Sequence, residues 1–151
     1  MPITGINHVT LRVRSLTEAR KFYELLGFGE TGTREGMVFL SVGAHHHHIA
    51  LMELGPDAEP QPSRRSVGMA HFALTVDNEP ELGDLFKKVS DAGYRVTMVT
   101  DHRVNRVFYV KDGDGNVVEI TFDAPREEWR GLENPFGEDQ PYTIPGLGKD
   151  E

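Results

Sequence analysis

Residues 69–76, MAHFALTV, and residues 112–122, DGDGNVVEITF, decide the fold. Each alternates apolar and polar positions, which is the period of a half-buried strand. In the first, Phe72, Leu74 and Val76 share a face, and His71 falls on the other. In the second, Val118, Ile120 and Phe122 share a face, and Glu119 points the opposite way with Val117 and Thr121. Residues 6–13, INHVTLRV, repeat the pattern with Val9, Leu11 and Val13 opposite His8, Thr10 and Arg12. Two histidines and one carboxylate, each assigned to its own strand, form a ligand set that suits a non-haem Fe(II) site with open positions.

The rest of the chain reads as two copies of one plan. Ser15 is an N-cap, with Glu18 three residues on completing a capping box. The following LTEARKFYELL carries Leu16, Ala19, Phe22, Tyr23 and Leu26 at helical spacing, and Gly27 stops it. Strands are expected at 28–33, 37–42 and 47–54, followed by a linker at 55–67 rich in proline and charge. A second helix is expected over 80–92, with Leu82, Leu85, Phe86 and Val89 on one stripe, then strands at 94–100, 104–110 and 117–122. His71 lies 63 positions after His8, Gly93 lies 66 after Gly27, and Glu119 lies 66 after Glu53. Three extra residues in the second helix region account for the change of offset. The sequence therefore predicts an α+β fold of two βαβββ modules, residues 5–54 and 68–123, inside one domain spanning 1–123. Each module is expected to be a curved four-stranded mixed sheet with a helix outside, and the His/Thr/Glu faces to line a metal-binding cleft. The tail, residues 124–151, is rich in proline, glycine and acid, and irregular structure is expected there. Trp129, Phe136 and Tyr142 are its candidate anchors.

Composition narrows the partners. With a net charge of −8 over 151 residues, a phosphate-binding face is not expected, so no nucleic acid is called. The absence of cysteine excludes disulfides, thiolate metal sites and a cysteine nucleophile. No apolar run approaches the roughly 20 residues of a membrane span. MPITGINHV lacks the basic and apolar regions of a secretory signal, and a cytoplasmic location is expected.

The repeat is most informative where it breaks. Shifted back by 66, His102 and Tyr109 fall on Gly36 and Gly43; shifted forward by 66, His47 falls on Gly113. With His8 and His71 on matching first strands and a DGDGN-hydrophobic-Glu run before the last, residues 5–123 resemble the vicinal oxygen chelate superfamily. That superfamily includes glyoxalase I, bleomycin-resistance proteins and type I extradiol dioxygenases. TDHRVNRVFYVKDGDGN, residues 100–116, and HHHHIALME, residues 45–53, are similar to the extradiol dioxygenases in particular. The resemblance implies a ring-cleavage dioxygenase acting on a catechol-type diol with O2. It implies that His8, His71 and Glu119 hold Fe(II), with Mn(II) as a substitute. His47 would be the acid/base, His102 would hydrogen-bond the bound oxygen, and Tyr109 would bond a substrate oxygen. A homodimer or higher homo-oligomer is the expected assembly.

Other readings stand beside this one. Glu53, by its offset from Glu119, is what a glyoxalase I-like lyase or isomerase would use as a further ligand or base on Zn, Ni or Co. A drug-binding protein without catalysis is a third possibility, against which the complete ligand triad argues. His45–His48 also suit a solvated or adventitious metal-binding run, and a slip of one residue hands the role of His47 to His46 or His48. Tyr109 also suits a core aromatic with a satisfied hydroxyl, and His102 a loop cap.

Overall fold

A computed structural model describes residues 2–147. They divide into two compact units, Met1–Gln61 and Pro62–Glu151, each described by itself. The first unit runs β1 (Val9–Val13), α1 (Leu16–Leu25), β2 (Gly29–Arg34), β3 (Met37–Ser41) and β4 (Ile49–Glu53). The second runs β5 (Phe72–Val76), α2 (Glu79–Asp91), β6 (Val96–Asp101), β7 (Asn105–Lys111), β8 (Val117–Asp123) and a short α3 (Arg126–Trp129). The two sheets have the same strand order, β1-β4-β3-β2 and β5-β8-β7-β6. In each, the first and last strands pair in parallel and the other pairs are antiparallel. The α+β class and the two βαβββ modules are thus the observed architecture.

Local chemistry explains the shared plan. Ser15 Oγ accepts from the Glu18 amide at 3.3 Å and caps α1, while Asn78 Oδ1 accepts from the Glu81 amide at 2.9 Å and caps α2. The carboxylate expected to close a capping box on Ser15 turns elsewhere: Glu18 accepts from Lys21 at 2.9 Å. Both helices end alike. Gly27 and Gly93 sit at φ +104 and +88, a region that favours glycine. The following amides, Phe28 and Tyr94, donate back to Tyr23 and Val89 carbonyls at 3.1 and 3.0 Å. This glycine-terminated cap fixes where each chain leaves its helix and enters the next strand. One face of each sheet packs on its helix. Leu11, Val13, Phe22, Tyr23, Leu40 and Leu51 are buried in the first unit, and Leu82, Val89, Phe108, Val110, Val118 and Ile120 in the second.

Two differences from the sequence reading bear on the site. His8 and His71 lie one residue ahead of their strands, because the parallel ladders begin at Val9↔Ile49 and Phe72↔Val118. The tail also has partners in the second unit. Trp129 Nε1 donates to the Ala124 carbonyl at 3.2 Å, Tyr142 Oη donates to Glu79 Oε2 at 2.7 Å, and Ile144 is 2% exposed. Phe136, the third expected anchor, is instead 77% exposed. Residues 148–151 of the tail lie outside the described residues.

The tail crosses α2 at Gly83, where an added Cβ would stand 2.5 Å from the Pro145 carbonyl oxygen. Gly83→Ala, which in an open helix interior would stabilise by about 1 kcal/mol, is expected instead to lower the melting temperature. Thermal unfolding of the variant beside wild type checks this.

Candidate metal centre

Glu119 sits in the middle of β8, between β5 and β7, and its side chain is 8% exposed. A buried carboxylate is costly unless hydrogen-bonded, paired or ligating. The groups around it are few. Tyr109 Oη donates to Glu119 Oε1 at 3.2 Å, since Tyr109 is its direct cross-strand partner. His71 Nε2 stands 3.6 Å from Glu119 Oε2, and His102 Nε2 stands 3.9 Å from Oε1. No arginine or lysine is among these partners. Imidazole nitrogens facing a carboxylate oxygen form an N/O donor set that suits a borderline or hard divalent metal. Burial, and then the Glu119 charge, push the Tyr109 hydroxyl up to about 12, so it stays a donor at neutral pH.

Tyr109 and His102 meet as well: Tyr109 Oη and His102 Nε2 are 2.9 Å apart. One hydroxyl proton therefore has two acceptors in reach, Glu119 and an unprotonated His102. His102 lies in the turn between β6 and β7, and its amide donates to the Asn105 carbonyl at 2.9 Å. In the second unit, then, His71, His102, Tyr109 and Glu119 come together on the face opposite α2. Among the described residues no three His, Asp or Glu side chains by themselves form a metal-holding group.

His8 and His47 belong to the first unit, where their ring centroids are 4.4 Å apart. His47 also packs edge-on against Phe39 at 5.1 Å. The His45–His48 run is a folded turn whose rings lie against one another, with centroids 4.3, 4.5 and 4.6 Å apart, and take different hydrogen-bond partners. His45 Nε2 lies 3.0 Å from the Asn7 carbonyl, His46 Nδ1 lies 2.7 Å from His47 Nδ1, and His48 Nδ1 lies 3.1 Å from Ser41 Oγ. Only His47 is the neighbour of both His8 and Phe39. Burial, followed by the surrounding imidazoles, lowers the His47 and His48 pKa values.

The ladders correct the pseudo-symmetry read from the sequence. Parallel pairing sets Ala50 opposite Thr10 and Glu119 opposite Ala73, and Thr10 and Ala73 are themselves 63 apart. Ala50, not Glu53, is therefore the counterpart of Glu119. In the same way Phe39, opposite Ala50, is the counterpart of Tyr109. The offset drifts because the modules differ in hairpin length: two residues separate paired Arg34 and Met37, and six separate paired Thr100 and Val107. A shift of three residues along a strand is odd, so it reverses the face. Glu53 accordingly falls on the helix side of its sheet, where its Oε2 accepts from the Leu16 amide at 2.8 Å. It caps the positive end of α1.

The residue that sequence reasoning missed is Asp139. Its Oδ1 lies 2.7 Å from His102 Nδ1, and its Oδ2 accepts from Thr100 Oγ1 at 3.3 Å. The hydrogen bond from His102 holds its carboxyl below the usual range. Asp139 lies beyond the repeat, in FGEDQPY, where no periodicity or module counterpart signals it.

Two outcomes follow from these placements. Glu53→Ala is expected to destabilise the fold by about 0.5–1 kcal/mol through loss of a helix-terminal carboxylate and to leave metal content unchanged, read by denaturant unfolding and elemental analysis. His48 has a lowered folded pKa, so the unfolded chain binds its proton first. Its contribution is intact above about 6.5 and is lost as pH falls below that. His48→Gln should therefore flatten the loss of stability as pH falls below about 6.5, measured as unfolding midpoints on either side of that pH.

The model of the Glyoxalase/Bleomycin resistance protein/Dioxygenase superfamily matches residues 5–120. The chain is 35% identical over 113 residues to the catechol-2,3-dioxygenase of Bacillus subtilis (strain 168), an alignment covering 72% of this chain and 38% of that protein. It is 32% identical over 145 residues to biphenyl-2,3-diol 1,2-dioxygenase 3 of Rhodococcus globerulus, covering 93% of this chain and 74% of that protein. Among solved structures, a glyoxylase/bleomycin resistance protein/dioxygenase domain from Frankia sp. EAN1pec aligns with a TM-score of 0.66 at 21% identity, covering 81% of this chain and 99% of that one. That likeness concerns the fold. No helix among the described residues is long and apolar enough to cross a membrane. On the family match and these relatives, the chain belongs to the glyoxalase/bleomycin resistance protein/dioxygenase superfamily.

Proposed function

We propose that this chain is an extradiol ring-cleavage dioxygenase that holds Fe(II) through His8, His71 and Glu119 and opens a catechol-type diol with O2. The observation that carries the reading is the buried carboxylate of Glu119, set among imidazoles. Glu119 is 6% exposed with two imidazoles and a phenol for company, while the counterpart position in the first module is Ala50. A set of two histidines and one carboxylate leaves three positions on an octahedral metal; a fourth protein ligand would leave two. Two relatives bear names of diol dioxygenases, which supports the same choice. The glyoxalase-like alternative loses its special residue, because the Glu53 carboxylate is engaged at the N-terminus of α1. Mn(II) suits the same donors.

When bound, Fe(II) supplies a Lewis-acidic, redox-active centre with room for a chelating diol and O2. The residues of the chain do the rest. Tyr109 keeps its proton at neutral pH and offers it as a hydrogen bond to a diol oxygen. His102, with Nε2 beside that hydroxyl, is assigned to hydrogen-bond the oxygen that becomes part of the product. His47, kept neutral by burial and by its imidazole neighbours, is assigned to take a diol proton and return it. Overall, one ring C–C bond breaks, both oxygen atoms enter the product, and no external reductant is consumed.

The test is anaerobic loading with Fe(II), followed by oxygen uptake on a panel of catechols. Wild type should consume oxygen in step with a diol. His71→Ala should stay folded, because Phe72, Leu74 and Val76 carry the packing of β5, yet retain no tight iron and no uptake. Tyr109→Phe should keep iron and lose about 1–3 kcal/mol of transition-state stabilisation. Absence of uptake with every diol, together with isomerisation of a hemithioacetal, overturns the assignment.

A further inference from the structure

We propose that Asp139, supplied by the segment beyond the repeat, is a positioning residue that fixes the tautomer and aim of His102. The inference rests on the dioxygenase reading only for its catalytic consequence; the geometry lies wholly within the second unit.

The segment is fastened to the β6–β7 turn at several points. Asp101 and Gln140 form an antiparallel bridge, with the Asp101 amide donating at 3.1 Å and the Gln140 amide donating back at 2.7 Å. Arg103 Nε donates to the Glu138 carbonyl at 3.1 Å, and Thr100 Oγ1 donates to Asp139 Oδ2 at 3.3 Å. Residues 138–140 thus add a short edge to β6 at the place where the second module is four residues longer than the first.

The turn they grip is strained. Arg103 has φ +73, and among the described residues it alone is a non-glycine with positive φ. Such a conformation costs energy and persists only where its surroundings determine it. Here the Arg103 amide donates to Asp101 Oδ1 at 2.6 Å, and its side chain is held by the Glu138 carbonyl. The held residue is next to His102.

A carboxylate can only accept, so Asp139 requires a proton on His102 Nδ1. In the neutral ring that leaves Nε2 as the acceptor, 2.9 Å from Tyr109 Oη, and it becomes a donor to the oxygen that enters the product, the role assigned to it, once it has taken up a proton there. Without Asp139 the ring is free to carry its proton on Nε2, which would turn it from acceptor to donor toward Tyr109 Oη, or to rotate away. The arrangement is a carboxylate-imidazole pair whose imidazole reaches the reacting face. Among the described residues Asp139 makes no hydrogen bond to Tyr109 or Glu119; its charge is felt at the Tyr109 hydroxyl, and its bond toward the site is the one to His102.

Asp139→Asn preserves the shape of the segment and its backbone bridge but replaces an acceptor-only carboxylate with an amide that can also donate, so Nδ1 is no longer obliged to carry the proton. Imidazole nitrogen chemical shifts in the metal-free protein, assigned with His102→Gln, read the tautomer without any turnover. Wild type should show His102 protonated at Nδ1, and Asp139→Asn should shift the ring toward the Nε2-protonated form with an unchanged melting temperature. In the iron-loaded protein the same variant should retain its iron and lose about 10- to 100-fold in kcat with KM within about twofold, while Asp139→Glu should recover part of the loss. An unchanged His102 tautomer in Asp139→Asn, or a kcat equal to wild type in a protein that turns over diols, overturns the proposal. Failure of wild type to consume oxygen with any diol overturns the dioxygenase reading and the catalytic half of the proposal with it. The nitrogen shifts still decide the structural half.

Discussion

The Glu119 carboxylate lies under the surface of a sheet, and water does not solvate it freely. Such a group is stable only if other charges or hydrogen bonds replace the water. Tyr109, His71 and His102 can be understood from this requirement. Tyr109 is opposite Glu119 because β7 and β8 pair in that register, and it gives a hydrogen bond to the carboxylate. His71 enters from the neighbouring parallel strand, one residue before the ladder begins. His102 comes from the turn that ends the same hairpin. A bound divalent cation would satisfy the remaining demand, which is why the buried carboxylate and not the histidine count carries the functional reading.

The two modules answer that requirement differently on one scaffold. Their topology, their helix caps and their glycine stops are shared, because these are set by local backbone chemistry that the second copy repeats. Their site faces are not shared. Where the second module has Glu119 and Tyr109, the first has Ala50 and Phe39. The first module keeps Phe39, against which His47 packs, and has no acid at the counterpart position.

The segment after the repeat belongs to the same logic. Arg106 pairs with Glu79 at 2.9 Å and Asp101 at 3.3 Å, and also with Glu128, so that α2, β6, β7 and α3 share one guanidinium. Tyr142 joins through Glu79. Partly buried clusters of this kind hold better than isolated surface pairs, because their charges are less screened and the geometry is shared. The result is a firm seat for Gln140 and Asp139 beside the β6–β7 turn.

The sequence alone determined the period-two strands, the two helices with their Ser15 start and glycine ends, and the repeat itself, because these follow from neighbours within a few positions. It also singled out His8, His71 and Glu119 by their place on alternating strands, and His47, His102 and Tyr109 where the repeat breaks and through the resemblance. What it left open was register. Glu53 and Glu119 look equivalent at a constant spacing of 66, yet hairpins of unequal length shift the true match to Ala50 and turn Glu53 to the opposite face. Aligning Ile49 and Leu51 with Val118 and Ile120 would have revealed this, but short apolar runs tolerate either match. Asp139 was beyond reach altogether. Its role depends on a backbone bridge across 39 positions to Asp101, and such a long-range contact is fixed by packing, not by any pattern in the local sequence.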